Sequence, residues 1–115
     1  MKQDLLARIE SDVSPDTILA SNSSSFTITQ SSVKMIRPER AVITHWFTPP
    51  HILPVVEVVP GEKTSEETTT TTSHLLRRIG KKVIRINKEI PGFLVNRVQT
   101  AMYREIWDLL DRGVA

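Results

Sequence analysis

A histidine and a glutamate on two apolar segments could act together as a general base. His45 lies near the end of the apolar run 41–47, and Glu57 stands among the four valines of 55–59. A buried carboxylate is costly unless it has a partner. If the two segments are adjacent strands, Glu57 can accept a hydrogen bond from one imidazole nitrogen, and the other nitrogen can take a proton from a hydroxyl group. Two simpler interpretations stay open: a packed core histidine, and a strand with one polar side facing solvent.

Two further segments supply hydrogen-bonding side chains that could meet a substrate. Ser24 lies in a serine-rich loop after the apolar run 17–20. Open α/β sheets bind ligands beyond the carboxyl ends of their strands, which is where this loop falls. Asn96 follows the Pro91-Gly92 break and belongs to the first turn of a predicted helix. Together with the histidine and the glutamate, these side chains form a candidate site.

Strand-like segments alternate with helical patterns along the chain. Helices are predicted over 1–13, 29–36, 64–79 and 93–112, and strands over 17–20, 41–47, 55–59 and 82–87. The third helix begins with a capping-box pattern, in which Thr64 is followed three residues later by Glu67, and Gly80 is its predicted C-terminal cap. The threonines at 68–72 should make its first turns weak unless tertiary packing supports them. This alternation predicts an α/β fold with a parallel sheet.

Composition and charge narrow the class of protein. The 115 residues leave room for one small domain or for parts of two, and no apolar run reaches the roughly 18 residues of a membrane span. There is no cysteine, and the N-terminus lacks the apolar stretch of a signal peptide. We therefore expect a soluble cytoplasmic protein, with mitochondria and peroxisomes left open. The net charge is only +2 and the histidines lack zinc spacing, so neither nucleic acid, membrane nor metal is an expected partner.

Three motifs in this order resemble the L-3-hydroxyacyl-CoA dehydrogenase family, and the resemblance covers nearly the whole chain. They are Ser21-Asn22-Ser23-Ser24, then His45-Trp46-Phe47-Thr48-Pro49 with Val56-Glu57-Val58, then Pro91-Gly92-Phe93-Leu94-Val95-Asn96-Arg97. Thr48 stands where the family has an asparagine near the cofactor.

The resemblance implies a role for each candidate residue. His45 would be the catalytic acid and base, and Glu57 would orient it. Ser24 and Asn96 would hydrogen-bond the substrate oxygen. Lys2 matches a family lysine that contacts cofactor or CoA, so Lys2, Ser24 and Thr48 are the implied cofactor-binding residues. The implied reaction is the reversible transfer of hydride between a 3-hydroxyacyl-CoA, or a related 3-hydroxy acid, and NAD or NADP.

The resemblance also implies that the chain corresponds to the middle of such an enzyme. Residues 1–88 would form the second half of a Rossmann-like parallel sheet, and residues 89–115 would begin an all-α C-terminal domain that forms a homodimer. The sequence contains no Gly-x-Gly-x-x-Gly segment to cradle a pyrophosphate. We therefore expect the 115-residue chain alone to bind no NAD and to be inactive.

Two alternatives remain at this point. Pro49-Pro50 and Val59-Pro60-Gly61 resemble the branch that includes L-gulonate 3-dehydrogenase, lambda-crystallin and carnitine dehydrogenase, which act on small hydroxy acids without CoA. The other alternative is a non-catalytic truncated product, either a remnant or an interaction partner that docks on a full-length relative. A bare sheet edge and the apolar face of residues 93–110 would favour such docking.

Overall fold

The structure is a computed structural model that describes residues 1–114, and it confirms the predicted α/β architecture. A short 3₁₀ turn, Pro38–Arg40, precedes the second strand. The elements in chain order are α1 (Lys2–Asp12), β1 (Leu19–Ser21), α2 (Ile28–Ser31), β2 (Ala41–Trp46), β3 (Val55–Pro60), α3 (Glu66–Arg78), β4 (Lys82–Arg85) and α4 (Val95–Asp111). Among the described residues, no helix has the length and apolar character needed to cross a membrane.

The sheet is mixed, so the prediction of a parallel sheet is wrong at one pairing. The strand order is β1-β2-β3-β4, with β1 parallel to β2 and β3 parallel to β4. The strands β2 and β3 are antiparallel. The loop 47–54 between them contains no helix and is shorter than the dozen or so residues that a parallel crossover needs. The chain therefore turns back on itself and places β3 beside β2 in the opposite direction.

The two faces of the sheet bury separate apolar clusters. One face packs against α1, α2 and the segment before α4, and its buried members are Leu6, Leu19, Ile28, Met35, Ala41, Ile43, Val59 and Phe93. The other face packs against α3 through Val42, Val56, Val58 and Leu76. Side chains alternate between the faces along a strand. His45 and Glu57 therefore lie on the same face as Ile43 and Val59.

The threonine-rich start of α3 is supported by burial and by bonds back to its own backbone. Ser65 caps the helix by accepting from the Thr68 N–H at 3.0 Å, so the predicted cap at Thr64 is off by one residue. Thr64 instead donates its hydroxyl to the Ala41 carbonyl at 2.7 Å. Thr69 is buried against the sheet and donates to the Ser65 carbonyl at 3.0 Å. Tertiary packing thus offsets the weak helix propensity of this turn.

The last helix, α4, extends away from the sheet and none of its residues is buried. Its large apolar side chains are roughly half exposed or more: Val98, Met102, Tyr103, Ile106, Trp107 and Leu110. Within residues 1–114 nothing covers this face, and the molecule is correspondingly elongated, at 57 × 31 × 23 Å. The expectation that this helix is made to pack against further apolar surface stays a prediction.

Candidate active site

His45 and Glu57 form a buried hydrogen-bonded pair at the centre of the candidate site. They are direct cross-strand partners in the antiparallel β2–β3 register. The imidazole Nδ1 lies 2.7 Å from Glu57 Oε2, and the two residues are only 4% and 0% exposed. The sequence-based expectation that these segments are adjacent strands is therefore confirmed. Antiparallel pairing, which was not expected, is what sets the two side chains opposite each other.

The second carboxylate oxygen of Glu57 is held by the start of α4. Glu57 Oε1 accepts from the backbone N–H groups of Leu94 at 3.1 Å and Val95 at 3.0 Å. These N–H groups have no partner inside the helix, and the helix dipole favours a negative charge at this end. Both oxygens of the buried carboxylate are thus satisfied. Sequence reasoning placed a helix start after Pro91-Gly92, but nothing in the sequence indicated where its first N–H groups would point.

A tight turn brings a phenylalanine onto the imidazole. Gly92 and Phe93 both have positive φ values, 78° and 49°, and the Phe93 N–H donates to the Ile90 carbonyl at 3.0 Å. Phe93 is fully buried in spite of a backbone conformation that phenylalanine rarely adopts. Its ring meets the His45 ring edge-on at 5.3 Å, and the ring of Phe47 does so at 5.0 Å. The imidazole is therefore oriented by two aromatic rings as well as by the carboxylate.

The hydrogen bonds of Glu57 define which imidazole nitrogen carries the proton. An ionised carboxylate can only accept hydrogen bonds, so Nδ1 of His45 must be the donor in this pair. No group among residues 1–114 hydrogen-bonds the other nitrogen, Nε2. In a neutral imidazole Nε2 is then the acceptor, and it is suited to take a proton from a ligand hydroxyl group.

Ser24 and Asn96, the other two predicted site residues, are brought together. The Asn96 side chain donates from Nδ2 to the Ser24 carbonyl oxygen at 3.1 Å. An amide nitrogen carries two hydrogens, so one N–H of Asn96 remains for a ligand. Ser24 is exposed, and its hydroxyl makes no hydrogen bond within the described residues. Asn96 also follows Val95, whose N–H binds Glu57, so the four residues belong to one connected arrangement.

Two contacts that sequence reasoning missed fix the serine-rich loop in place. Asn22 Oδ1 accepts from the N–H of Trp46 at 3.0 Å, which ties the loop to β2 one residue beyond His45. Glu89 accepts at one oxygen from the N–H groups of Ile28, at 3.1 Å, and Thr29, at 3.4 Å. Asn22 could have been noticed, because asparagine side chains often bind backbone near turns. Glu89 lies some 60 residues from its partners, so no local sequence pattern could predict this contact.

The predicted cofactor-binding residues Lys2 and Thr48 are exposed, and neither is hydrogen-bonded to His45 or Glu57 within residues 1–114. The Lys2 ammonium lies 6.0 Å from the centre of the Phe26 ring, which belongs to the serine-rich loop. The side chains of Lys2 and Phe26 help to line a cleft of about 530 Å³, together with Met1, Gln3, Gln30 and Ser31.

Thr48 is exposed in the loop 47–54, which Lys81 holds against the sheet. The Lys81 ammonium donates to the Leu53 carbonyl at 3.3 Å and also to the Pro50 carbonyl. It lies 5.3 Å from the centre of the Trp46 ring, a cation–π distance. Lys81 therefore supports the loop that carries Thr48, at the end of β2 where His45 and Trp46 lie.

This fold and this sequence define a member of a known family. Residues 1–90 match the family described as "3-hydroxyacyl-CoA dehydrogenase, NAD binding domain", and the chain belongs to it. The Rossmann-like fold class expected from the sequence is thereby confirmed, as are the family resemblance and the membership of an NAD-binding domain family.

Relatives in sequence and in structure agree with this assignment. The chain is 43% identical over 114 residues to 5-formyl-3-hydroxy-2-methylpyridine 4-carboxylate 5-dehydrogenase from Mesorhizobium japonicum, covering 99% of this chain and 37% of that protein. The crystal structure of an enzyme of that name, described as an NAD⁺-dependent dismutase, superposes with a TM-score of 0.94 over 99% of this chain and 37% of that one. L-carnitine dehydrogenase from Streptomyces coelicolor is 37% identical over the whole chain and 36% of its own length. The (S)-3-hydroxybutyryl-CoA dehydrogenase of Ralstonia eutropha gives a TM-score of 0.92 at 34% identity, over 99% of this chain and 40% of that one. The chain thus spans about a third of the length of these relatives.

Proposed function

We propose that this chain supplies the catalytic groups of an NAD(P)-dependent dehydrogenase that oxidises a 3-hydroxyacyl-CoA, or a related 3-hydroxy acid, to the corresponding ketone. The observation that carries the proposal is the buried pair in which Glu57 binds Nδ1 of His45 at 2.7 Å. This arrangement leaves Nε2 free to act as a base, and Trp46, the residue after His45, binds Asn22 of the serine-rich loop. Membership of an NAD-binding dehydrogenase family supports the same reaction class.

His45 moves the proton in this proposal. In oxidation, Nε2 takes the hydroxyl proton while the carbinol carbon loses its hydrogen as hydride, and the C–O bond becomes a carbonyl. Glu57 stabilises the imidazolium that forms, because its carboxylate is held 2.7 Å from Nδ1. In the reductive direction the imidazolium returns the proton to the developing alkoxide. The residue that touches the reacting oxygen is therefore His45, and Glu57 is its positioning residue.

Ser24 and Asn96 bind the substrate oxygen in the same proposal. The Ser24 hydroxyl and the remaining N–H of Asn96 are both hydrogen-bond donors, and the contact between the two residues places those donors in one region. Donors aimed at an oxygen that gains negative charge stabilise the transition state more than the ground state.

The cofactor would be held at the outer side of the site. NAD or NADP, when bound, accepts the hydride at its nicotinamide ring. Lys2, Ser24 and Thr48 are the residues of this chain that we propose to contact it. The Lys2 ammonium and the Phe26 ring in the neighbouring cleft fit the charge and flat surface of a nucleotide. The sequence holds no glycine-rich phosphate loop, so these residues would form part of the cofactor site, and the chain alone is not expected to bind NAD.

We further propose that residues 1–88 complete a cofactor-binding domain and that residues 89–115 begin a helical domain through which the protein forms a homodimer. The exposed apolar face of α4 supports this division, because such a face is stable only against other apolar surface.

A second candidate substrate class is a small hydroxy acid without CoA. The relative named L-carnitine dehydrogenase, at 37% identity over the whole chain, favours it. The two classes are separated by assaying 3-hydroxybutyryl-CoA and L-carnitine side by side at equal concentration.

The experiment is a chimera, in which this chain replaces the matching 114-residue segment of the Mesorhizobium japonicum dehydrogenase. The chimera is expected to retain NAD-dependent turnover of its host's substrate. His45→Ala should lower the rate by about 10²- to 10⁴-fold, the usual effect of losing a general acid or base. His74→Ala is the matched control, because His74 is an exposed helix residue and its loss should leave the rate unchanged.

The chimera also separates the enzyme from the non-catalytic alternative. A folded chimera whose circular dichroism matches that of the host but which shows no turnover would contradict the proposal and favour a non-catalytic remnant. Equal rates for the unmodified and His45→Ala chimeras would show that the base had been wrongly assigned.

A further inference from the structure

We propose that Glu89 is a positioning residue that sets the place of the serine-rich loop relative to the His45–Glu57 pair. The inference rests on the proposed function, and it adds to that site a residue that none of its motifs contains. Glu89 lies outside the site itself, two residues before Pro91-Gly92.

The geometry behind this proposal is a second bridge between two distant segments. Residues 89–96 touch the loop 22–29 at two points. Asn96 holds the middle of the loop through the Ser24 carbonyl at 3.1 Å, and Glu89 holds its far end through the N–H groups of Ile28 and Thr29. The other end of the loop is fixed to β2 by Asn22. The position of Ser24 is thus determined by its own bond to Asn96 and by an anchor on each side, Asn22 and Glu89. Glu89 and Asn96 both belong to the segment that also binds Glu57.

One side-chain oxygen of Glu89 accepts from two backbone N–H groups at once. The N–H groups of Ile28 and Thr29 begin α2, and both point at one oxygen of Glu89. The helix already has its own side-chain cap, because Thr27 accepts from the Gln30 N–H at 3.2 Å. Glu89 is therefore not needed merely to start α2, and its added effect is to join α2 to the segment that leads into α4.

The test is an NMR measurement on the full 115-residue chain labelled with ¹³C and ¹⁵N. The reporter is the carbonyl carbon of Ser24, which accepts the Asn96 hydrogen bond, and Asn96→Ala gives its shift when that bond is lost. Glu89→Ala is expected to move this resonance a large part of the way toward the Asn96→Ala value. Glu89→Gln, which keeps an acceptor oxygen, should restore it to near the unmodified position. Glu66→Gln is the control. Glu66 is a carboxylate on α3, on the other face of the sheet, and it is paired with Arg85 of β4.

The result that overturns the proposal is equally specific. If Glu89→Ala moves only the amides of Ile28 and Thr29 and leaves Ser24 unchanged, Glu89 is a helix cap and nothing more. Should Glu89→Ala fail to fold, Glu89→Asp decides, because it keeps the charge but shortens the reach by one methylene. A shifted Ser24 carbonyl then supports the proposal, and an unchanged one refutes it.

A kinetic measurement distinguishes positioning from stability. In the chimera, Glu89→Ala is expected to lower kcat by about 10- to 100-fold, the scale of a small misplacement of reacting groups. KM should change much less, and Glu89→Gln should recover most of the loss. Unchanged kcat in a folded Glu89→Ala chimera would refute the positioning role. If the unmodified chimera has no activity, the proposed function fails, while the NMR measurement still decides the inference.

Discussion

The Asn96 side chain donates to the backbone carbonyl of Ser24, and not to its hydroxyl, across a sequence separation of 72 residues. The loop that carries Ser24 is thus held by an interaction that is independent of the Ser24 side chain. Within residues 1–114, the hydroxyl group of Ser24 is committed to no other group. The carbonyl of Ser24 positions the loop, and its hydroxyl group stays available for the ligand contact proposed above.

Ser24→Ala and Asn96→Ala should consequently have different effects. Ser24→Ala removes the hydroxyl but leaves the carbonyl, so the amide resonances of the surrounding loop should stay near their unmodified positions. Asn96→Ala removes the hydrogen bond and should shift the amides of residues 22–26. The measurement is a ¹H–¹⁵N correlation spectrum of each variant. Equal perturbation of the loop by both variants would contradict this division.

Glu57→Ala should be among the most destabilising single substitutions in this chain. It leaves Nδ1 of His45 without its acceptor in a buried environment, and it removes the acceptor of the partly buried N–H groups of Leu94 and Val95. Removing one partner of a buried charged pair costs about 3–5 kcal/mol, so a loss of that size in the free energy of unfolding is expected. Urea unfolding followed by circular dichroism measures it.

The matched control for this substitution is Glu62→Ala, which removes an exposed carboxylate. Its effect should stay within about 0.5 kcal/mol, as for most surface positions. A Glu57→Ala chain as stable as the Glu62→Ala chain would show that the buried carboxylate is not held as the structure describes.

Replacing an isoleucine should cost much more stability in the packed core than on α4. Ile28 is 1% exposed in the core, and its replacement by alanine should lower the free energy of unfolding by about 2–5 kcal/mol. Ile106 is 45% exposed on α4, and the same replacement should change it by about 0.5 kcal/mol or less. Thermal or urea unfolding of the two variants checks the contrast. A large loss at Ile106 would mean that the exposed face of α4 is covered in solution.

Glu10 should make the stability of the chain depend on acid. Its carboxylate accepts from the N–H groups of Ile36 and Arg37 at 2.7 and 2.8 Å, and it is paired with the buried Arg40. Burial works to raise the pKa of Glu10, but these hydrogen bonds and the Arg40 guanidinium outweigh it and lower the pKa below its ordinary value of 4.5. The folded state therefore binds fewer protons than the unfolded chain. The stabilisation is fully present above about pH 4.5 and is lost as the pH falls through the lowered pKa.

Urea unfolding at a series of pH values between 6 and about 2 measures this effect. Glu10→Gln should be less stable than the unmodified chain at pH 6, and the difference should shrink as the solution becomes acidic. Asp4, whose pKa the Lys34 ammonium and the N-terminus lower to about 2, contributes to the slope of both chains and cancels in the comparison. A difference that is constant over the whole range would contradict the assignment to Glu10.

The sequence predicted the pairing of His45 with Glu57 on the condition that their two short apolar segments are adjacent strands, which they are. The antiparallel direction of that pairing was also within reach, since the loop 47–54 is too short for a crossover helix. We expected a parallel sheet because strands and helices alternate over the rest of the chain. Local loop length should have outweighed that general pattern at this one connection.

The contacts that assemble the site could not be predicted, because they join residues far apart in the chain. The two N–H groups that bind Glu57 belong to backbone, which carries no residue-type signal. The positive φ of Phe93 could not be predicted from its residue type either, since that conformation is expected mainly of glycine and asparagine. Motifs identified which residues meet, and the fold alone revealed the backbone atoms and the Glu89 carboxylate that hold them.

The hydrogen bonds from Leu94 and Val95 to Glu57 connect the orientation of α4 to that of the His45 imidazole. The rest of α4 extends outward from these two residues. A small tilt of the helix would therefore either move the Glu57 carboxylate or break its hydrogen bonds to Leu94 and Val95. Either event would change the alignment of His45 with a bound hydroxyl group. A surface that packs against the outer turns of α4 would thereby tune proton transfer at a distance, without touching any residue of the site.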